Sequence, residues 1–236
     1  MKRVHFATRA AFAFLALTPL IKANVIGSLG NTASGFTTGS HPTTAAVLAA
    51  LAGSPAPFNA FCGSDAAANC AANWTFSYLL PAGQLVSGAT LTLGISDIDS
   101  AAAGNQVASF LIGATDLTAA LNTVSEGLNG GTGATNGEYD VLTVTLPSAA
   151  LSALQSGSAN VSLSLQGPGL GVLGSTTFNG AGLVFSTLDI QTASPTPEPA
   201  ELPLLLTAAG ALIAMRARHK KNRSRPGIAL VSERHL

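Results

Sequence analysis

Lysine and arginine are absent from the long central part of this sequence. Of the 11 basic residues in the chain of 236, four lie before Asn24 and seven lie at or after Arg216. Ten of the 11 acidic residues lie between these two positions. A phosphate backbone is bound through lysine and arginine, which displace its counterions. The central part is therefore predicted not to bind nucleic acid, and it has no lysine or arginine that could pair with its carboxylates.

Cysteine and histidine are also scarce, and this limits the chemistry that the central part can perform. Its two cysteines are Cys62 and Cys70, and its single histidine is His41. Zinc needs three or four protein ligands, and a Ser-His-Asp triad would have to use His41. Glu138 and Asp140 would serve as glycosidase carboxylates only if they faced each other across a cleft. The sequence predicts a protein that is not an enzyme, with a secreted hydrolase as the least favoured function.

Residues 1–23 have the three parts of a secretory signal peptide. A positively charged start precedes an apolar run over residues 10–21, and Ala23 is a small residue suited to a cleavage site. The apolar run is short for a membrane span, and an uncleaved N-terminal anchor is the alternative. Export places the chain in an oxidising compartment. Cys62 and Cys70 are therefore predicted to form a disulfide, which would stabilise the fold by about 2–3 kcal/mol.

Alternation of apolar and polar residues predicts antiparallel strands over much of residues 24–193. In one such segment, Leu91, Leu93 and Ile95 share a face. The alternating segments are residues 73–80, 88–96, 106–113, 138–146, 159–166 and 182–190. Two segments have the composition and flanks of helices, residues 43–52 and 147–156. We expect a mainly β domain, an antiparallel β-sandwich or jelly roll with one or two short helices.

Two binding functions remain open as alternatives for this domain. Trp74, Tyr78 and Tyr139 are its only aromatic residues with a polar edge, and the first two share a strand face that is predicted to lie in the core. Carbohydrate binding is therefore an alternative, although the sequence shows no row of exposed aromatic side chains on which sugars would stack. Asp97 and Asp99 would point the same way in an extended segment, and with further oxygen ligands they would form a calcium site. Solvated acidic residues at the end of a strand are the simpler interpretation, and we otherwise expect no cofactor.

The C-terminal part has a different composition from the domain. Residues 194–201 are a Pro-rich linker, residues 202–215 are uncharged and predicted to form a transmembrane helix, and residues 216–236 are a basic tail. A helix of fourteen residues is about 21 Å long, so it spans the hydrocarbon core only with help from snorkelling basic side chains. The basic cluster predicts a cytoplasmic tail and a domain outside the inner membrane. An amphipathic or buried helix of the soluble domain is the alternative.

Pro197-Glu198-Pro199, followed by a short apolar helix and a basic cluster, resembles the PEP-CTERM sorting signal. In that family, exosortase recognises the signal in Gram-negative bacteria that make exopolysaccharide; it is a membrane-embedded cysteine protease-transpeptidase. The resemblance implies that Pro197, Glu198 and Pro199 are the recognised motif and that residues 202–215 anchor the chain transiently in the inner membrane. It also implies a stop-transfer cluster, formed by Arg216, Arg218, Lys220, Lys221 and Arg223. Residues 226–236 continue beyond the point at which such signals commonly end.

Together, these features predict an exported protein of the cell surface or extracellular matrix. The expected role is structural or adhesive, in biofilm or floc material that contains exopolysaccharide. The expected partners are exosortase, the inner membrane during sorting, and exopolysaccharide.

Overall fold

The computed structural model describes residues 22–100, 105–128, 137–171, 174–175, 177–195, 206–213 and 215–216. The chain divides into two compact units, and the first extends to Ser194. Its described strands are β1 (Lys22–Gly30), β2 (Ala71–Ser77), β3 (Leu85–Ser96), β4 (Val107–Ile112), β5 (Thr115–Asp116), β6 (Tyr139–Thr145), β7 (Ser158–Leu165), β8 (Leu170–Gly171), β9 (Gly174–Ser175) and β10 (Gly182–Ala193). Its described helices are α1 (Thr44–Leu51), α2 (Thr118–Leu128) and α3 (Ser148–Leu154).

The longer strands form two four-stranded sheets. The first sheet has the order β1-β10-β3-β6, and the second has the order β2-β7-β4-β5. Strands β8 and β9 pair separately, and every strand pair is antiparallel. The predicted mainly β, antiparallel class is confirmed.

One hydrophobic cluster contains side chains from both four-stranded sheets. Leu91, Leu93 and Ile95 of β3 belong to it and are at most 1% exposed, as their alternation predicted. Trp74 and Phe76 of β2 enter the same cluster from the second sheet. Burial of each such side chain stabilises the fold by about 1.5–3 kcal/mol. The predicted inward faces of these two strands are confirmed.

A second, smaller cluster covers part of the first sheet. Helix α1 contributes Val47 and Leu51, which pack with Tyr139 of β6 and Val184 of β10. Gly94 lies beneath this cluster, and a Cβ there would collide with the Phe185 ring and the Tyr139 hydroxyl. The absence of a side chain at this position therefore allows the aromatic rings to lie against the sheet.

Helices α1 and α3 lie where their sequence pattern predicted them, whereas α2 was not predicted. Its first N–H groups are capped from outside, because Asp116 Oδ1 accepts a hydrogen bond from the Thr118 N–H at 2.8 Å. Leu117 and Leu121 are buried at 3% and 0% exposure, which is the i, i+4 spacing of one helix face. The expectation of one or two helices in the domain is thus corrected to three in the described part of the first unit.

Strand β1 was also missed, because it overlaps the predicted signal-peptide boundary. It begins at Lys22, which pairs with Ala193 of β10, and Ala23 pairs with Thr192. The Thr192 hydroxyl donates a hydrogen bond to the Ala23 carbonyl at 3.0 Å. Cleavage after Ala23 would leave the strand from Asn24 onward, and this cleavage remains a prediction.

The predicted disulfide between Cys62 and Cys70 is confirmed. The backbone N–H of Cys62 donates to the Ala181 carbonyl, and the N–H of Cys70 donates to the Asn179 carbonyl, both at 2.7 Å. The disulfide loop is therefore attached on both sides to the segment that leads into β10.

The second compact unit begins at Pro195. Residues 206–213 and 215–216 within it are helical. Among the residues that the structure describes, no helix has both the length and the apolar character that crossing a membrane requires.

Candidate functional site

Most of the acidic side chains of the first unit lie at one end of its sheets. Strand β3 ends there and β6 begins there, since Ser96 pairs with Tyr139. The second sheet reaches the same end, because the Gln166 N–H donates to the Gln106 carbonyl between β7 and β4. Eight acidic residues lie between Ala23 and Pro195. Six of them lie in this acidic end: Asp65, Asp97, Asp99, Glu126, Glu138 and Asp140.

Three carboxylates of the acidic end are each held by a backbone N–H. Asp65 Oδ1 accepts from Gly180 at 3.0 Å and lies inside the disulfide loop. Asp97 Oδ1 accepts from Gly137 at 2.8 Å. Asp99 Oδ1 accepts from Leu170 at 3.2 Å. Each side chain is thus fixed through one oxygen, and three different segments of the chain supply the donors.

The backbone at Asp97 leaves the extended conformation that the sequence predicted. Asp97 has a φ of 69°, in the left-handed region, and its N–H donates to the Glu138 carbonyl at 2.7 Å. The sequence argument that Asp97 and Asp99 point the same way applied only to an extended segment, and the segment is not extended at Asp97. The two carboxyl groups come together because the chain turns at Asp97, which short polar side chains tolerate better than others.

Asp99 is enclosed by protein. It is 0% exposed, and its second carboxylate oxygen, Oδ2, accepts no hydrogen bond from the described residues. Burial, followed by the charge of the neighbouring Asp97, raises the pKa of Asp99 to about 8. The pKa of Asp97 is also raised, mainly by burial, although the Gly137 N–H acts in the opposite direction. The pair therefore carries less negative charge at neutral pH than two exposed aspartates would.

A cavity of about 220 Å³ opens beside these carboxylates. Asp65 and Asp97 contribute to its lining, and the apolar side chains of Val47 and Phe61 lie on its wall. The two carboxylates make one side of the cavity polar, and the cavity is large enough for several water molecules.

A network of buried amides and hydroxyls joins the loops of the acidic end. Gln106 accepts from the Ser100 N–H and donates to Glu126 at 2.8 Å. Asn122 of α2 accepts from the Val107 N–H at 2.8 Å and donates to the Val107 carbonyl at 3.0 Å. These bonds fix the loop that carries Asp97 and Asp99 against the start of β4 and against α2.

Asp140 and Glu138 do not form a pair across a cleft. They lie two residues apart at the start of β6, and neither lines the cavity. Asp140 is 0% exposed, and its pKa is raised by burial and then by the charge of Glu138. His41, the only histidine of the domain, is exposed in the segment before α1.

The three aromatic residues with a polar edge are buried or half-buried. Trp74 is 6% exposed and packs edge-on against Phe58, with ring centroids 5.6 Å apart. Tyr139 is 1% exposed and packs in the same manner against Phe36 at 5.3 Å. Tyr78 is half-buried, and its hydroxyl donates to the Leu154 carbonyl at 2.8 Å. The prediction that Trp74 lies in the core is confirmed, whereas Tyr78 lies at its margin, and carbohydrate binding stays an alternative.

Asp65, like Glu126, is a residue of the acidic end that the sequence did not indicate as part of a site. It is distant from Asp97 along the chain, and only the disulfide and the Gly180 N–H bring it near. In the sequence, its position between Cys62 and Cys70 was the one feature that distinguished Asp65 from other acidic residues. Across the described residues, no three histidine, cysteine, aspartate or glutamate side chains are arranged to hold a metal ion together.

The predicted sorting residues fall mostly outside the described residues. Pro197, Glu198 and Pro199 lie outside them, and so do the tail residues Arg218, Lys220, Lys221 and Arg223. Arg216 is described and is helical. In comparisons with known proteins, no family model and no curated protein matches this chain.

Proposed function

We propose that this chain is an exported protein that is sorted to the cell surface or the extracellular matrix. Its role there is structural or adhesive, in exopolysaccharide-containing biofilm or floc, and it is not an enzyme. The disulfide between Cys62 and Cys70 supports the oxidising compartment that export implies. The partition of charge supports the topology, because all 11 basic residues lie in the two terminal segments that would meet a membrane.

The order of features at the C-terminus carries this proposal. Pro197-Glu198-Pro199 precedes the uncharged residues 202–215, and the basic cluster that begins at Arg216 follows at once. The tripeptide alone would be weak support, whereas motif, apolar segment and basic block in this order fit recognition by exosortase. Residues 202–215 then act as a transient inner-membrane anchor.

We further propose that the two sheets form a β-sandwich with the topology of a jelly roll. If the small β8–β9 pair is set aside, β10 becomes the eighth strand. The first strand then pairs with the eighth, the second with the seventh, the third with the sixth and the fourth with the fifth. An eight-stranded hairpin rolled into two sheets has these pairings. The cluster of apolar side chains from both sheets supports the face-to-face packing.

The outer surface of the first sheet supports a structural role in a hydrated matrix. Ser28 and Thr187 have hydroxyl oxygens 3.0 Å apart, and those of Thr92 and Thr143 are also 3.0 Å apart. These four residues lie in one row across the sheet, at paired positions of its four strands. Such a surface presents hydroxyl groups without cationic charge, which suits contact with polysaccharide.

The sorting proposal is tested by the covalent state of the protein in a Gram-negative host with and without its exosortase. With exosortase, mass spectrometry of the mature protein should show loss of residues 1–23 and processing near Glu198. Without exosortase, or with a Glu198→Ala substitution, the C-terminal segment should stay attached and the protein should remain in the inner-membrane fraction.

A Glu201→Ala substitution is the matched control, because it removes a carboxylate just outside the motif and should leave processing unchanged. Recovery of the full-length chain from the cytosol, with both ends intact and reduced thiols, would contradict the proposal.

A further inference from the structure

The acidic end places Asp97 and Asp99 beside each other without a nearby cation. The first unit has no lysine or arginine after Lys22, so no such side chain of the unit beyond that position can neutralise them. Asp65 adds a third negative charge, which acts on both Asp97 and Asp99. Buried carboxylates in a folded protein are normally paired with a cation, a proton or a metal ion.

The hydrogen bonds within this group leave one oxygen of the buried carboxylate available. Asp99 Oδ1 accepts from the Leu170 N–H, whereas Asp99 Oδ2 is buried and accepts no hydrogen bond from the described residues. An enclosed carboxylate oxygen without a donor destabilises the folded state. This oxygen is not used by the backbone hydrogen bond that orients Asp99, and the side chain to which it belongs also forms a carboxyl–carboxylate hydrogen bond with Asp97.

A second enclosed oxygen lies near the same loops. Asn179 is 0% exposed, and its Oδ1 has no hydrogen-bond partner among the described residues, while its amide nitrogen donates to the Gln166 carbonyl at 2.9 Å. The next residue, Gly180, supplies the N–H that holds Asp65. The acidic end therefore contains amide and carboxylate oxygens that donors within the described fold do not satisfy.

The chemistry of these groups matches a hard divalent cation. Calcium takes six to eight oxygen ligands from carboxylates, carbonyls, amides and water, and it tolerates irregular geometry. Two carboxylates supply part of such a set. One of them, Asp97, lines the cavity, which has room for the water molecules that would complete the set on its side. Zinc is disfavoured, because the domain has one histidine and both of its cysteines are joined in a disulfide.

We propose that Asp97 and Asp99 bind a divalent cation of the calcium type, with Asp65 as a nearby charge that strengthens the attraction. The cation would join the loop after β3 to the segments that contribute Gly137 and Leu170. This site is independent of the sorting signal, so its failure would leave the proposal about export standing.

The test is the thermal stability of the purified full-length chain at neutral pH in EDTA and in increasing calcium, at constant ionic strength. A ligand that binds only the folded state raises the melting temperature by mass action. At a hundred times the dissociation constant, the expected rise is about 5–10 °C for a domain of this size. Sodium chloride at matched ionic strength controls for general screening of the acidic end.

Two variants separate a specific site from general screening. Asp99→Asn keeps an oxygen for the Leu170 N–H but removes the buried charge, so it should fold and should lose the calcium-dependent rise. Asp97→Asn should reduce the rise in the same way. Asp189→Asn in β10 is the matched control, since Asp189 lies outside the acidic end, and it should keep the full response.

Three results would overturn the proposal. The first is a melting temperature of the wild-type chain that does not change in millimolar calcium. The second is a calcium response that Asp97→Asn and Asp99→Asn both retain. The third is a response that sodium chloride at the same ionic strength reproduces.

Discussion

At the scale of single residues, Asp140 is fully enclosed, and neither of its carboxylate oxygens accepts a hydrogen bond from the described residues. Burial raises its pKa, the charge of Glu138 raises it further, and the Gly39 N–H and His41 act in the opposite direction. A carboxyl group with a raised pKa binds its proton more tightly in the folded than in the unfolded chain. Its contribution to stability is therefore complete below about pH 4 and is lost as the pH rises through the folded-state pKa.

This residue gives the first prediction, which concerns the variant Asp140→Asn. In EDTA, the wild-type chain should lose free energy of unfolding between about pH 4 and pH 7, and the variant should lose less. At pH 7 the variant should be more stable than the wild type, because it removes the cost of the charged form. Urea unfolding at both pH values measures this. Equal pH dependence in the two proteins would show that Asp140 keeps its ordinary pKa.

The sequence predicted part of the acidic end but not its geometry. It singled out Asp97 and Asp99 as neighbours, since residues two apart share a face in an extended strand. The structure instead brings them together through a left-handed turn at Asp97, and turns of this kind leave no periodic signal. Asp65 joins them through contacts across the fold, and single-sequence periodicity carries no information on such contacts.

At the scale of elements, the strands were easier to predict than α2. Strands β2, β3 and β7 each bury their apolar side chains at alternate positions, next to polar or small residues, so the alternation is clear in the sequence. Helix α2 carries Asn122 and Ser125 on buried positions, which interrupts the apolar stripe that helix prediction relies on. The buried side chain of Asn122 instead forms two hydrogen bonds with the backbone of Val107, the first residue of β4.

The second prediction tests whether α2 is an integral part of the core. Leu121 of α2 is 0% exposed and belongs to the main hydrophobic cluster. Leu121→Ala should cost about 2–5 kcal/mol of unfolding free energy, because it removes buried methyl groups and leaves a cavity. Chemical denaturation followed by the fluorescence of Trp74, the single tryptophan, measures the loss.

Leu48→Ala in α1 is the matched control for this prediction. Leu48 is 49% exposed, so the same truncation should cost much less than at Leu121. A smaller loss at Leu121 than at Leu48 would mean that α2 contributes little to the core.

At the scale of the whole molecule, the fold class follows from the sequence, whereas the order of strands does not. Alternation identifies which face of a strand is buried, but it does not identify its neighbour. Strand β10 lies between β1 and β3, so it pairs with segments from the beginning and the middle of the unit. Only the complete set of strand pairings shows that the last strand, β10, lies next to the first strand, β1.

A consequence of that topology is that the first unit begins and ends at one place. Lys22 is the pairing partner of Ala193, so the N-terminal segment and the linker leave the sheet from the same end of adjacent strands. Residues 1–21 precede β1 and the linker follows β10, so both are attached to the first sheet at the same end, and cleavage after Ala23 would leave only the linker there.

The third prediction uses this adjacency in a circular permutant of residues 22–195. A short Gly-Ser linker joins the original ends, and the new ends lie between Ala82 and Gly83, two exposed residues of the loop between β2 and β3. Because termini that are close together tolerate such joining and exposed loop tips tolerate cutting, the permutant should fold. Its melting temperature should lie within about 4–8 °C of the parent, the equivalent of about 2 kcal/mol in a unit of this size.

A second permutant provides the control. Its new ends lie within β3, between Leu91 and Thr92, in the centre of the first sheet, and it should fail to fold because the cut separates a strand that pairs on both sides. If the first permutant also fails to fold, the ends of the unit do not lie together, and the pairing of β1 with β10 is wrong. If both permutants fold equally well, position within the sheet does not decide the outcome, and the argument from strand order fails.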